Sequence, residues 1–203
     1  MKTKVLTFIA LFALTFANAQ NFDKLQAAFI KSYEYEKQGD FKKAADELKN
    51  VYDANSYEIN LRLGWLDYNA GQFDESLSYY NKALQLRPYS EEARFGLVLP
   101  ASATGKWTLV ENTYKDILKH SPGNTTALYR LGLIYYGRKD YTKAQSYFQK
   151  LVDLYPFSYD GLLMLAWTEL QLGKTAEAKA LFQKVLLISP DDKSAKQGLS
   201  YLK

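Results

Sequence analysis

Four of the five prolines in this 203-residue chain, Pro88, Pro122, Pro156 and Pro190, stand 34 residues apart. A fixed step of that length constrains the fold more than any local propensity, because 34 residues is the span of one helix–turn–helix unit. Other positions keep the step. Phe73, Trp107 and Tyr141 share one slot, joined by Phe41 once a two-residue shortening before Tyr57 is allowed. Tyr80, Tyr114, Phe148 and Phe182 share another, with Leu48 in the first repeat. Ala44, Ser76, Val110, Ala144 and Ala178 fill a mostly small slot, and Ser32, Gly64, Gly132 and Ala166 a second.

These slots fit a helical hairpin. Gly39-Asp40-Phe41, Gly71-Gln72-Phe73 and Gly173-Lys174-Thr175 lie between two apolar-periodic runs, where glycine ends a helix. Small residues on facing sides let two helices approach, and large aromatics fill the gap to the next hairpin. The proline follows the second helix, which it cannot continue. One hairpin cannot bury its own apolar face, so stacked neighbours must supply the core.

The run from Tyr57 to Pro88 resembles the tetratricopeptide repeat family: Leu63-Gly64, Tyr68, Gly71, Phe73, Tyr80, Ala83 and Pro88 stand where the family's pattern places them. The run from Ala127 to Pro156 resembles it too. The resemblance implies an all-α, right-handed α-solenoid over 20–192, with five repeats at 25–56, 57–90, 91–124, 125–158 and 159–192. Residues 193–203 read as a polar capping helix closing its end. The third repeat departs from the pattern, with Val98 in the small slot and Pro100 inside its first helix. A proline there removes one hydrogen bond and meets the carbonyl four residues back, so an irregularity is expected.

The N-terminus carries Lys2 and Lys4, an uncharged stretch from Val5 to Phe16, and then Ala17-Asn18-Ala19. A basic start, a short apolar core and small residues two apart form a cleavable export signal, so 1–19 is expected to be removed before Gln20. The expected location is therefore outside the cytoplasm, periplasmic or extracellular. No other segment is apolar enough to span a membrane. Losing two lysines lowers the formal charge from +4 to +2, too even a balance to suggest nucleic acid. An apolar content of 47% excludes disorder.

The same residues argue against catalysis, a cofactor or a metal. There is no cysteine, and the one histidine, His120, falls at a helix end where its charge suits the helix dipole. Glu91-Glu92 and Asp191-Asp192 sit at helix starts for the same reason, and no phosphate loop or dinucleotide fingerprint occurs. Asn124-Thr125-Thr126 matches a glycosylation acceptor, which matters only in a eukaryotic secretory pathway.

The resemblance implies that first helices line a concave groove, which puts Phe29, Tyr33, Arg62, Trp65, Tyr68, Phe95, Tyr129, Arg130, Tyr136 and Trp167 on or near it. Tyr, Trp and Arg are the types enriched in binding hot spots, so the expected partner is a protein or peptide of the cell envelope. A depression beside Pro100, walled by Trp65 and Tyr68 and by Tyr129 and Tyr136, would hold a bulky apolar anchor. Arg62 and Arg130 at its edge would meet an acidic group. The family's carboxylate-gripping asparagine is missing, since its slot holds Tyr33, Trp65, Leu99, Leu133 and Trp167. The rival reading is a carbohydrate-binding module with Trp65, Tyr68, Tyr136 and Trp167 stacked on sugar rings. The groove's polar company is thin for sugars: Asn69, Glu58, Asp160 and two arginines.

Overall fold

A computed structural model describes residues 22–202, which are helical with no strand among them. The expected export signal at 1–19 lies outside the described residues. The chain divides into two compact units, one ending at Lys106 and the other beginning at Trp107. The division falls between the two helices of the third repeat.

The first unit holds α1 over 22–37, α2 (Phe41–Lys49), α3 (Tyr57–Asn69), α4 (Phe73–Leu86) and α5 (Glu91–Ala103). The second holds α6 (Trp107–His120), α7 (Thr125–Gly137), α8 (Tyr141–Leu154), α9 (Tyr159–Gln171), α10 (Thr175–Ile188) and α11 (Lys193–Ser200). Within each unit consecutive helices pack as antiparallel hairpins, and α3 also touches α5 as α7 touches α9.

Helix boundaries are set by two periodic devices. Ser56, Ser90, Asn124, Ser158 and Asp192 are N-caps, and each side chain accepts from the backbone N–H three residues on. That removes one of the unpaired donors at every such helix start. The hairpin turns need a left-handed residue, supplied by Gly39, Gly71, Gly105 and Gly173 at φ between +67° and +78°. Lys139 occupies the same slot at φ +61° and is the one residue there with a side chain to strain.

Two first residues also reach the last residue of their own repeat, which caps the helix that follows it. The Tyr57 hydroxyl lies 2.7 Å from Ser90 Oγ, and the Tyr159 hydroxyl donates to Asp192 Oδ2. Both tie one helix start to the cap of the next.

The core of the first unit joins Ala28, Ala44, Leu48, Ile59, Leu63 and Leu66 across three helices. Tyr80 is wedged between two glycines: a Cβ on Gly64 would come within 2.9 Å of its ring and one on Gly96 within 2.1 Å. In the second unit the rings of Phe148 and Phe182 fill equivalent spaces over Gly132 and Gly198.

Two expectations are corrected here. Pro100 neither breaks nor ends α5, which runs unbroken from Glu91 to Ala103 with Pro100 buried in its last turn. So near a C-terminus the ring forfeits only the bond to the Gly96 carbonyl, and Thr104 caps the end with bonds to the Pro100 carbonyl from its backbone (3.0 Å) and hydroxyl (2.8 Å). Trp107, whose aromatic slot is expected to fill the gap to the next hairpin, is 54% exposed. Its slot-mates Phe73 and Tyr141 are covered by rings at the end of the preceding helix, Tyr68 at 5.9 Å and Tyr136 at 5.3 Å. Position 102 in the third repeat is a serine and supplies no ring.

Candidate functional site

The residues expected to wall one depression divide between the units: Phe29, Tyr33, Arg62, Trp65, Tyr68 and Phe95 belong to the first, Tyr129, Arg130, Tyr136 and Trp167 to the second. Their environments differ.

In the first unit, α1 and α3 build a continuous aromatic face. Phe29 and Tyr33 are one helical turn apart with ring centroids at 6.4 Å, and Trp65 and Tyr68 are likewise paired at 6.3 Å. Arg62 joins the two pairs. Its guanidinium carbon sits 4.1 Å from the Tyr33 ring centroid, close enough for a cation–π contact. The same guanidinium forms an ion pair with Glu36, and the Trp65 indole N–H donates to the other Glu36 oxygen at 2.8 Å. The Arg62 hydrogen bond holds the Glu36 carboxyl below its usual range, with Trp65 and the Arg62 charge adding to that effect against partial burial. Tyr33 remains 48% exposed and Trp65 38%. The indole and guanidinium are therefore fixed by internal bonds while ring faces stay open to solvent. Phe95, on α5, is half-buried.

Arg62 is thus already spent on Glu36, with its side chain only 13% exposed, so it does not stand free for a partner's acidic group. Glu36 was not among the expected site residues. It occupies the slot of Tyr68, Ser102, Tyr136 and Leu170, where it is the one charged residue, and that break in the pattern was its only sequence signal.

In the second unit the expected residues are largely taken up by packing. Tyr129 is half-buried beside Phe148 at 6.0 Å, and Tyr136 is half-buried edge-on to Tyr141. Burial pushes both hydroxyls above their ordinary pKa. Trp167 packs edge-on against Phe182 at 5.1 Å and Tyr201 at 6.1 Å, and its indole N–H donates to Ser194 Oγ at 2.9 Å. Arg130 is exposed.

Two polar clusters escaped sequence reasoning. Asp67 is fully buried, receives one bond from Lys49 Nζ at 3.1 Å, and is pushed up in pKa by that burial. Glu111 receives bonds from Lys115, the Tyr135 hydroxyl and Arg138, and its carboxyl is held down to about 2, chiefly by Lys115 and then Tyr135. Each ties a first helix to the second helix of the repeat before it. Among the described residues no group of three or more His, Cys, Asp or Glu is placed to hold a metal ion.

Comparison with known proteins agrees with the architecture. Sequence profiles described as tetratricopeptide repeat match residues 31–91, 101–159 and 135–200. The human Protein O-mannosyl-transferase TMTC1 is 25% identical over 187 residues, which cover 73% of this chain and 21% of that protein. The chain thus spans about a fifth of that relative's length. A tetratricopeptide repeat protein from Parabacteroides merdae superposes with a TM-score of 0.75 at 23% identity, covering 89% of this chain and 72% of its own. YrrB, described as a repeat protein with an unusual peptide-binding site, superposes at 0.70 with 15% identity, covering 93% of this chain and 98% of its own.

Proposed function

The chain belongs to the tetratricopeptide repeat family, and from that premise we propose that it is an exported scaffold which grips a peptide or helix of a cell-envelope partner on the aromatic face of α1 and α3. The family's fold is a framework for protein association. The observation that carries the finer reading is the Tyr33–Arg62–Glu36–Trp65 network, which holds exposed ring faces at fixed positions without using them in the core. A rigid aromatic surface loses little side-chain entropy when a partner lands on it, which is how hot spots concentrate affinity. The partner's anchor is apolar and uncharged, since Arg62 and Glu36 neutralise each other. The sugar-binding alternative is weaker on this face. Glu36 is occupied, and the Asn69 amide donates to the Trp65 carbonyl at 2.8 Å, so few polar groups are left for hydroxyls.

Peptides selected from a random library on the wild-type chain test this reading. They should bind Trp65→Ala more weakly by about 1–2 kcal/mol, the hot-spot scale, in isothermal titration. Equal affinity for the two proteins would remove this face from the function. Export rests on the N-terminal sequence alone, and a mature protein whose first residue is not Gln20 would overturn the proposed cleavage.

A further inference from the structure

A second surface lies outside the face just described. At the end of α8 the chain exposes four consecutive large or rigid apolar residues, Leu154, Tyr155, Pro156 and Phe157; the three others than proline are 51%, 54% and 63% exposed. Such a run on a folded surface has no structural use, and burying it would release apolar area. It is held in shape by its own backbone: Tyr155 N–H bonds the Leu151 carbonyl at 2.9 Å, and Ser158 N–H bonds the Tyr155 carbonyl at 3.0 Å.

Beside it is a depression of about 660 Å³ lined by Leu151, Leu154, Tyr155 and Phe157, with Thr125 and Ser158. No charged side chain lines it. The same repeat positions in the first unit form a depression of about 520 Å³, but there Glu58 and Arg87 stand in the wall. The second-unit depression is also missing a side chain. Gly123 occupies the slot of Tyr89 and Phe157, and a Cβ placed on it would meet only Leu154 Cδ1, at an ordinary 3.7 Å. One flank of Leu154 is therefore left bare where the neighbouring repeats carry a ring.

The surrounding charge says what fits. Asp153 and Asp160 flank the run, both exposed; the exposed Lys150 lies one helical turn before Leu154, and no other lysine or arginine occurs from there through Gly173. We propose that this depression is a second docking site, which takes an uncharged aromatic side chain of a protein segment with a basic residue next to it. The two carboxylates attract such a segment and repel an anionic bilayer. The site shares no residue with the α1–α3 face, so Trp65→Ala leaves it intact, and failure of either reading is seen separately.

The test titrates the full chain with three capped tripeptides, Lys-Phe-Lys, Lys-Ala-Lys and Glu-Phe-Glu, and follows the methyl resonances of Leu151 and Leu154. Lys-Phe-Lys should shift them and saturate, and the other two should not. Gly123→Phe, which plugs the depression, and Phe157→Ser, which removes a wall, should each weaken that binding at least about fivefold, a loss on the scale of one apolar contact. Equal shifts from Lys-Ala-Lys or Glu-Phe-Glu, or wild-type affinity in folded Gly123→Phe, would overturn the site. So would sedimentation with anionic phosphatidylglycerol vesicles that Phe157→Ser abolishes, since that assigns the run to lipid. If a variant fails to fold, the three peptides on the unmodified chain still decide the matter.

Discussion

Trp65 and Trp167 occupy the same slot, three repeats apart, yet live in different surroundings. Trp65 bonds a carboxylate on α1, the first helix of the repeat before it, and keeps 38% of its surface in water. Trp167 is half-buried, bonded to Ser194 on α11 and packed between Phe182 and Tyr201. The difference lies in the neighbours, not in the residue or its position along its own helix. A slot in a repeat protein supplies a direction, and the adjoining helix decides whether the side chain becomes core or surface.

Removing residues 193–203 is the strongest way to break this contrast. It strips Ser194, Gly198 and Tyr201 from around Trp167 and Phe182, and we expect aggregation or a loss of roughly 4 kcal/mol in urea unfolding, the scale of emptying a packed aromatic site. Trp167 emission should move toward the red as the indole meets water. Removing 20–24 should cost far less, and equal losses would show that α11 does not cap the core.

Next in size is Trp167→Ala, expected to destabilise by about 2–4 kcal/mol because most of the ring is packed. Trp65→Ala should cost about 1–2 kcal/mol, because its ring is partly in water but its N–H bonds Glu36, and Trp107→Ala under about 1 kcal/mol, because half of its surface is already exposed. Denaturant midpoints of the three variants check the order, and Trp65→Ala matching Trp167→Ala would erase the distinction between the regions.

Acid sharpens the comparison from the Glu36 side. A carboxyl whose native pKa is depressed contributes stability above its unfolded value, about 4.3, and that contribution is lost as pH falls through the lower native value. Trp65 emission in a Trp107→Phe, Trp167→Phe background should therefore change below pH 4, as the carboxylate that receives its N–H is protonated. Glu36→Gln should flatten the transition and cost about 1 kcal/mol. An unchanged profile in Glu36→Gln would mean that Glu36 does not hold the indole.

The smallest effect concerns the turns. Both hairpins of the first unit turn on glycine, whereas the second unit places Lys139 at φ +61°. Lys139→Gly should relieve left-handed strain and stabilise by about 0.5–1 kcal/mol in thermal unfolding. A destabilised variant would show that the lysine side chain outweighs its backbone.

What the sequence made legible was whatever repeats. The proline step, Gly39, Gly71 and Gly173, and the aromatics over small residues all follow from a period, and they carry the helical hairpins with them. What stayed hidden depends on pairs that the period does not specify. Trp107 looked like Phe73 and Tyr141, but its exposure turns on a serine at position 102. Arg62 looked free because Glu36 lies 26 residues earlier, in another repeat. Pro100 looked disruptive because its distance from the helix end was not counted against the single bond it removes. Of the expected groove residues, Tyr33, Trp65 and Tyr68 offer ring surface on one face. Tyr136 and Trp167 are taken up by neighbours that a slot-by-slot reading does not weigh.

The hydroxyl ties from Tyr57 to Ser90 and from Tyr159 to Asp192 each span 33 residues, one short of the period. A tandem copy of residues 57–90 or of 159–192 therefore arrives with its own fastening, since each of those windows holds both partners. Residues 159–192 copied in place would give a new tyrosine whose hydroxyl meets a new aspartate cap, while the old pair stays joined. Lengthening by such a whole repeat leaves these two ties as they were, whereas an insertion of another length between Tyr57 and Ser90, or between Tyr159 and Asp192, parts that pair.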